Sequence, residues 1–353
     1  MTAACGGGRD ASGPAGGGDN GKGDESPPAT ITIGAPATAG TRQSIMGAQG
    51  IARVKGWLEE EFRRDGVRFD FPGFRGGAAT VNQALANGQV DLAYAGDLVA
   101  IIGRSAGIDT RVIMPCGRFE NAYLAVPPRS PIKAVADLKG RTVAYFKGSY
   151  LHLQVVKILA AHGMTEADLK SINLDHATAA TALANGDVEA VFGGLETLAL
   201  KDRGIARMAY STRGQDPRLT GQAAVLVRGE FAERYPRTLA RIAKVWVRAA
   251  DWASDPAHRD EVFRLWATGS RTPEQMLYNY GDRPLVERVS PLIDPFLLAQ
   301  FEETQKLAAQ LGLLRGKPFD IERWFDRHYL DEALRDLSLQ KRWRPLGPLG
   351  EPA

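Results

Sequence analysis

One phrase occurs twice in this chain, and that repetition implies two similar folding units. Ala79-Thr80, Ala84-Leu85-Ala86-Asn87-Gly88-Gln89-Val90-Asp91, Tyr94 and Gly96 return a fixed distance later. The second copy is Ala177-Thr178, Ala182-Leu183-Ala184-Asn185-Gly186-Asp187-Val188-Glu189, Phe192 and Gly194. Each copy starts small and polar, runs through an Ala/Leu-rich helical stretch, stops on Asn-Gly as a left-handed cap, and continues into a short apolar strand. Two α/β lobes with a cleft between them follow, and such clefts are preferred sites for small ligands.

At 353 residues the chain is long enough for two domains. Its 44 Lys plus Arg are balanced by 41 Asp plus Glu, which argues against the large basic surface that nucleic acid requires. No run of about 18 apolar residues is present to span a bilayer. Residues 1–28 are rich in Gly, Asp, Ser and Pro with almost nothing to bury, and are expected to be a disordered tether. Within them Cys5 follows Thr2-Ala3-Ala4 and precedes Gly6-Gly7-Gly8, an order resembling the end of a bacterial lipoprotein signal. The charged and apolar parts of an export signal do not accompany it. Cys5 is the lipidation candidate, and a lipid there is the one expected link to a membrane. Cys116 would then be the only other thiol, so no intrachain disulfide forms.

Ile31-Thr32-Ile33-Gly34 is expected as a strand, followed by one helix whose apolar face carries Ile45, Ile51, Val54, Trp57, Leu58 and Phe62. Strands at Val67–Phe71, Leu92–Ala95 and Thr110–Cys116 alternate with helices, the βαβ rhythm of a mainly parallel sheet flanked by helices. Ala122-Tyr123-Leu124-Ala125-Val126 is expected to cross to the second lobe, where the rhythm repeats, and Gln222–Val227 to carry the chain back. Two crossings make a hinge. The expected division is 1–28 tether, 29–121 with 223–340 as lobe 1, 122–222 as lobe 2, and 341–353 as a loose tail.

In open α/β sheets ligands gather at the carboxyl ends of the strands, where helix N-termini also point. Three such places carry Gly, Thr or Ser: Thr38 to Thr41, Gly76 to Thr80, and Lys147-Gly148-Ser149-Tyr150. Amides at a helix start and the helix dipole hold an anion, each terminus contributing roughly 0.3–1 kcal/mol when exposed. Arg42, Arg118 and Lys147 lie near strand ends with charge to neutralise such a group. Arg118 leads among them because guanidinium matches oxyanions with paired bonds.

Tyr94-Ala95-Gly96-Asp97, the stretch Ala136-Asp137-Leu138-Lys139-Gly140-Arg141-Thr142-Val143-Ala144, and Lys147-Gly148-Ser149 before a helix resemble the aliphatic sulfonate, taurine and nitrate binding proteins of ABC importers. The resemblance covers about Thr30 to Leu337. It implies a two-lobe type II periplasmic-binding fold with two crossover strands as hinge. It also implies a monomeric extracytoplasmic or periplasmic receptor for a small anionic or zwitterionic solute, an aliphatic sulfonate first, handed to ABC permease transmembrane subunits. No cofactor or metal is implied.

The family's ligand contacts fall on Thr38, on Gly76 and Gly77, on Gly96 and Asp97, and on Gly148, Ser149 and Tyr150. Asp97 is expected to cap the next helix rather than touch an anion. Where relatives carry an aromatic residue and Pro, this chain has Gly193-Gly194-Leu195-Glu196. The Glu196 carboxylate is expected to face water, or else to accept from a ligand amine.

Enzyme readings are weaker. Gly103-Arg104-Ser105-Ala106-Gly107 matches a hydrolase pattern, but a helix precedes it and a strand follows, the reverse of what that motif needs. The five His residues, at 152, 162, 176, 258 and 328, show no metal spacing and are expected at the surface or at helix ends. Two alternatives share the fold: a sulfinate desulfinase, and a receptor for a pyrimidine-type thiamine precursor. The first needs a Cys in the loop after the first strand, where this chain has Ala37-Thr38-Ala39.

Overall fold

The repeated phrase folds twice into one unit. The computed structural model describes residues 25–37, 46–74, 78–267, 269 and 271–353. The first half runs β1 (Thr30–Pro36), α1 (Gly47–Val54), α2 (Trp57–Glu61), β2 (Arg68–Asp70), β3 (Gly73–Phe74), α3 (Ala78–Ala86), β4 (Leu92–Gly96), α4 (Asp97–Ser105) and β5 (Thr110–Glu120). The second runs β6 (Tyr123–Val126), β7 (Thr142–Tyr145), α5 (Tyr150–Ala161), β8 (Lys170–Asn173), α6 (His176–Asn185), β9 (Ala190–Gly193), α7 (Leu198–Asp202) and β10 (Arg207–Ser211).

The helices of the two copies, α3 and α6, stop in the same way. Gly88 (φ +66°) donates to Leu85 O while Gln89 N donates to Ala84 O; Gly186 (φ +83°) donates to Leu183 O while Asp187 N donates to Ala182 O. Only a residue comfortable at positive φ can reverse the chain so tightly into the next strand.

The acid that closes each copy brackets the adjoining strand. Asp91 N donates to Thr32 O and its carboxylate accepts from Thr32 N, both at 2.9 Å. Glu189 repeats the pair on Thr142, again at 2.9 Å. Arg141 lies 2.9 Å from Glu189, and Arg228 lies 3.7 Å from Asp91. Register in each parallel pair is thus fixed by a side chain as well as by the ladder.

The strands form two mixed sheets flanked by helices. The first is ordered β2-β1-β4-β11-β5, with β3 also on β1, where β11 (Gly221–Arg228) follows the whole second half in sequence. The second is ordered β10-β6-β9-β7-β8. The pairs around β1 and β7 are parallel, whereas β11 and β6, the strands on which the chain arrives after each crossing, pair antiparallel. The crossings themselves, at Asn121-Ala122 and Thr212 to Thr220, are tied together. Ala122 N donates to Thr212 Oγ1 and Thr212 N to Ala122 O, each at 3.0 Å.

The remaining chain is helical: α8 (Gly229–Arg234), α9 (Pro236–Ala253), α10 (Arg259–Trp266), α11 (Pro273–Tyr280), α12 (Leu285–Arg288), α13 (Pro295–Gln310), α14 (Ile321–Trp324) and α15 (His328–Asp336). Leu239, Ile242, Trp246 and Ala250 of α9 recur at helical spacing and sink into the core of the first sheet with Phe301, Trp324 and Tyr329.

Three expectations change here. The helix over Ile51 to Phe62 is two helices, because Gly56 at φ +67° breaks it between α1 and α2; Ile45 lies outside the described residues. The tether ends sooner than residue 28, since Glu25 accepts from Arg237 N and Thr238 N and so caps α9; residues 1–24, with Cys5, lie outside the described residues. The tail from residue 341 is docked. Leu346 is buried with Phe119 and Phe296, its N–H donates to Asp294, and it bridges to Pro352.

Candidate functional site

The two halves meet around one side chain. Tyr150, the first residue of α5, lies against Gly96 at the end of β4, Gly194 just past β9, and Gly221 at the start of β11. A Cβ at Gly96 would sit 2.7 Å from Tyr150 Cβ, one at Gly194 2.6 Å from the phenol oxygen, and one at Gly221 2.9 Å from Cδ2. Three backbones approach this ring closely because none carries a side chain there. Gly96, Ser149, Tyr150 and Gly194, expected at the site, are therefore brought together between the sheets.

The carboxylates of Glu120 and Glu196 face the same region. Glu120 ends β5 and accepts from Tyr280 Oη at 3.3 Å. Burial raises its pKa and Glu196 adds to the rise, against the pull of Arg288, Tyr280 and Arg271. Burial also pushes the Tyr150 phenol well above its ordinary value, helped by Glu196 and Glu120, so it remains a neutral donor. Phenols, carboxylates and guanidinium groups thus act on one another where the two halves meet.

The Glu196 side chain is 30% exposed, and its carboxylate already has partners within the protein. It accepts from Gly194 N at 2.7 Å and from His176 Nδ1 at 2.9 Å. Burial alone would push its pKa up, but the His176 imidazolium and these bonds hold it at about 2. The Glu196 charge in turn raises His176. The histidine contribution to stability is full below its unfolded value near 6.5 and fades as pH rises through its raised folded value; the carboxylate contribution fades as pH falls through about 2. His176→Phe is expected to remove the loss of stability seen as pH rises above about 6.5, measured by urea unfolding at a series of pH values.

The turn before α5 is shaped by side chains. Ser149 occupies the N-cap position, but its Oγ donates to Phe146 O at 2.8 Å rather than capping the helix. Gly148 adopts φ +78°. Lys147 is turned away from Tyr150: its Nζ donates to Ser171 Oγ at 2.9 Å and lies 3.6 Å from Glu166, while its N–H donates to Asn173. Lys147 as an anion-neutralising charge is therefore corrected.

Arg118 is corrected for a stronger reason. Its guanidinium is buried and donates twice to Asp294, at 2.7 and 2.9 Å, so it has no access to a ligand. Asp97 is the first residue of α4 rather than its cap, a position held by Gly96. Its carboxylate accepts from Leu98 N and from Thr304 Oγ1, and burial raises its pKa to about 6 despite the nearby Lys157. Asp97 thus ties α4 to α13. Thr38, Arg42, Gly76 and Gly77 lie outside the described residues.

His152 is buried in the first turn of α5, at a helix end rather than at the surface. Among the described residues no group of three His, Cys, Asp or Glu is placed to hold a metal. Burial pushes the Cys116 thiol far up, which leaves it a poor nucleophile. Glu120, Arg271 and Tyr280 were not legible as site residues. Tyr280 and Arg271 belong to the helical tail, and only the tertiary fold brings them beside β5. His176 opens α6, a helix end of the kind expected for the histidines, and its pairing with Glu196 was not legible either.

A family model described as NMT1/THI5 like matches residues 51–258. A Bacillus subtilis (strain 168) protein named for aliphatic sulfonate binding is 28% identical over 297 residues, covering 82% of this chain and 85% of the relative. The periplasmic sulfonate-binding protein SsuA of a sulfonate ABC transporter from Methylobacillus flagellatus KT superposes with a TM-score of 0.80 at 24% identity. That superposition covers 92% of this chain and 98% of the other. The desulfurization enzyme DszB shares the fold, with a TM-score of 0.69 at 18% identity over 87% of this chain and 99% of that one.

Proposed function

Because the chain belongs to the NMT1/THI5-like family, we propose that it is the extracytoplasmic receptor of an ABC importer, binding a small anionic or zwitterionic organic solute, foremost an aliphatic sulfonate, between its two halves. The observation that carries the reading is the convergence of Gly96 from the first sheet and Gly194 from the second on Tyr150 at the start of α5. The first turn of a helix has N–H groups without intrahelical acceptors, so Ser149, Tyr150 and Leu151 present donors to an oxyanion there. The relative named for sulfonate binding supports the same ligand class over most of the chain. Closing the halves about Asn121 and Thr212 excludes water from those bonds and strengthens them. The closed shape is what permease subunits would recognise, because only a ligand touching both halves shifts the balance toward it.

A desulfinase on this fold requires a reactive thiolate. Cys116 is the only cysteine among the described residues, and its buried thiol argues against that role. The protein is accordingly proposed to be a monomeric receptor without catalytic chemistry, tethered through Cys5 where an export signal directs it.

Thermal shifts against alkanesulfonates, taurine, nitrate and a hydroxymethylpyrimidine test this. A true ligand at 100 times its Kd stabilises the folded state by about 2.7 kcal/mol and raises the melting temperature accordingly. Stabilisation by the pyrimidine alone, or sulfite release from an aromatic sulfinate, would replace the proposed function.

A further inference from the structure

His152 sits beneath the turn that starts α5. Gly148 N donates to its Nδ1 at 3.3 Å, and its Nε2 lies 3.1 Å from Glu166 Oε1, which also accepts from Tyr145 Oη. An amide N–H can donate to Nδ1 only when that nitrogen carries no proton. With Gly148 donating to Nδ1, the hydrogen of the ring is on Nε2 and directed at Glu166. Asn173 takes the N–H of Lys147, so side chains from behind take two consecutive amides of the turn. Gly148 at φ +78° turns the chain into α5, whose first-turn amides have no intrahelical acceptor.

We infer that His152 is the positioning residue of this turn, and that protonating it releases Gly148 and with it a ligand held at the start of α5. The imidazolium would place a second hydrogen on Nδ1 against the Gly148 N–H, two donors facing each other with no acceptor between them. The titratable groups around the ring are Tyr145 on β7, Lys147 in the turn and Glu166 on the 3-10 turn before β8. Glu166 is held at about 2, first by its bond from His152, and stays ionised throughout the range in which histidine titrates. It fixes the orientation of the ring in either state. The acceptor offered to Gly148 is what changes with pH. The ligand half of this inference rests on the proposed solute-binding role of the gap.

Two substitutions separate the two nitrogens of the ring. His152→Asn leaves an oxygen near the position of Nδ1, able to accept from Gly148, but nothing that reaches Glu166. His152→Gln reaches toward Glu166 but offers Gly148 no acceptor. Nitrogen-15 spectra of the full chain are expected to show the Nε2-protonated tautomer. The Gly148 amide resonance is expected to move as the ring takes up a proton in the wild type and to stay still in His152→Asn. Calorimetry with butane-1-sulfonate is expected to give wild-type affinity for His152→Asn at pH 8, and a roughly three- to tenfold loss for His152→Gln. His176, Asp97 and Glu120 also titrate near the gap, so only the pH step that disappears in His152→Asn belongs to His152. Melting curves of both variants check that they fold. The Nδ1-protonated tautomer, a Gly148 amide indifferent to pH in the wild type, or equal affinity losses in the two variants would each overturn the inference. If no sulfonate binds at any pH, the receptor reading fails, while the Gly148 titration still decides the role of His152.

Discussion

Replacing Asp294 with Ala is expected to destabilise the protein by about 3–5 kcal/mol, the largest effect of any single substitution considered. The carboxylate holds Arg118 through two bonds in a site where both side chains are 1% exposed. Its removal leaves a buried guanidinium without a counter-charge, and the Nε of that group already lacks a partner. The same carboxylate accepts from Leu297 N, capping α13, and from Leu346 N, pinning the C-terminal segment. Three elements would loosen together. Urea unfolding checks the magnitude. Arg118→Met with Asp294→Leu should recover much of the loss, because an apolar pair of similar volume leaves no charge stranded. A loss of less than about 1 kcal/mol for Asp294→Ala would show that water reaches this pair.

Gly96→Val is expected to weaken solute binding by about 5- to 150-fold while leaving the melting curve of the ligand-free protein little changed. Gly96 has φ −64° and ψ 155°, an ordinary conformation in which Val is at ease. The obstacle is Tyr150, whose Cβ would lie 2.7 Å from the new Cβ. A Cβ cannot rotate away as the end of a flexible side chain can, and overpacking of this kind costs about 1–3 kcal/mol. The contact spans the two halves, so the free protein can escape the strain by opening, whereas a ligand that needs both halves cannot. Isothermal titration calorimetry with any ligand found by thermal shift reads the difference. Unchanged affinity would place the ligand elsewhere.

The fold was legible because the duplicated phrase carries local signals that tertiary packing does not override. Asn-Gly at positions 87–88 and 185–186 specifies the same left-handed stop in both copies, and the helices and strands beside it fall within a few residues of where periodicity sets them. Gly56 was harder to read: one glycine inside an apolar pattern is often tolerated, yet here its positive φ splits the helix. Tail docking was illegible for a different reason. The segment has the composition of a loose end, and what holds Leu346 is Asp294, 52 positions away in sequence.

The site was only partly legible. Glycines at strand ends state that something comes close, and Gly96 and Gly194 do receive Tyr150. Charges give no such hint. Arg118 and Lys147 both stand near strand ends, but the direction of a long side chain depends on partners contributed by distant segments, Asp294 in one case and Glu166 with Ser171 in the other. Glu196 shows the same dependence: His176 is distant in sequence and adjacent in space.

The strand order has a consequence for the history of each molecule. All strands of the second sheet come from one uninterrupted stretch, 123–211, whereas β5 joins the first sheet only across β11, which is synthesised more than a hundred residues later. A growing chain can complete its middle while its beginning still waits with an open sheet edge. That delay keeps the earliest-made half dependent on the last, and slow long-range pairing of this kind is where chaperones find their clients.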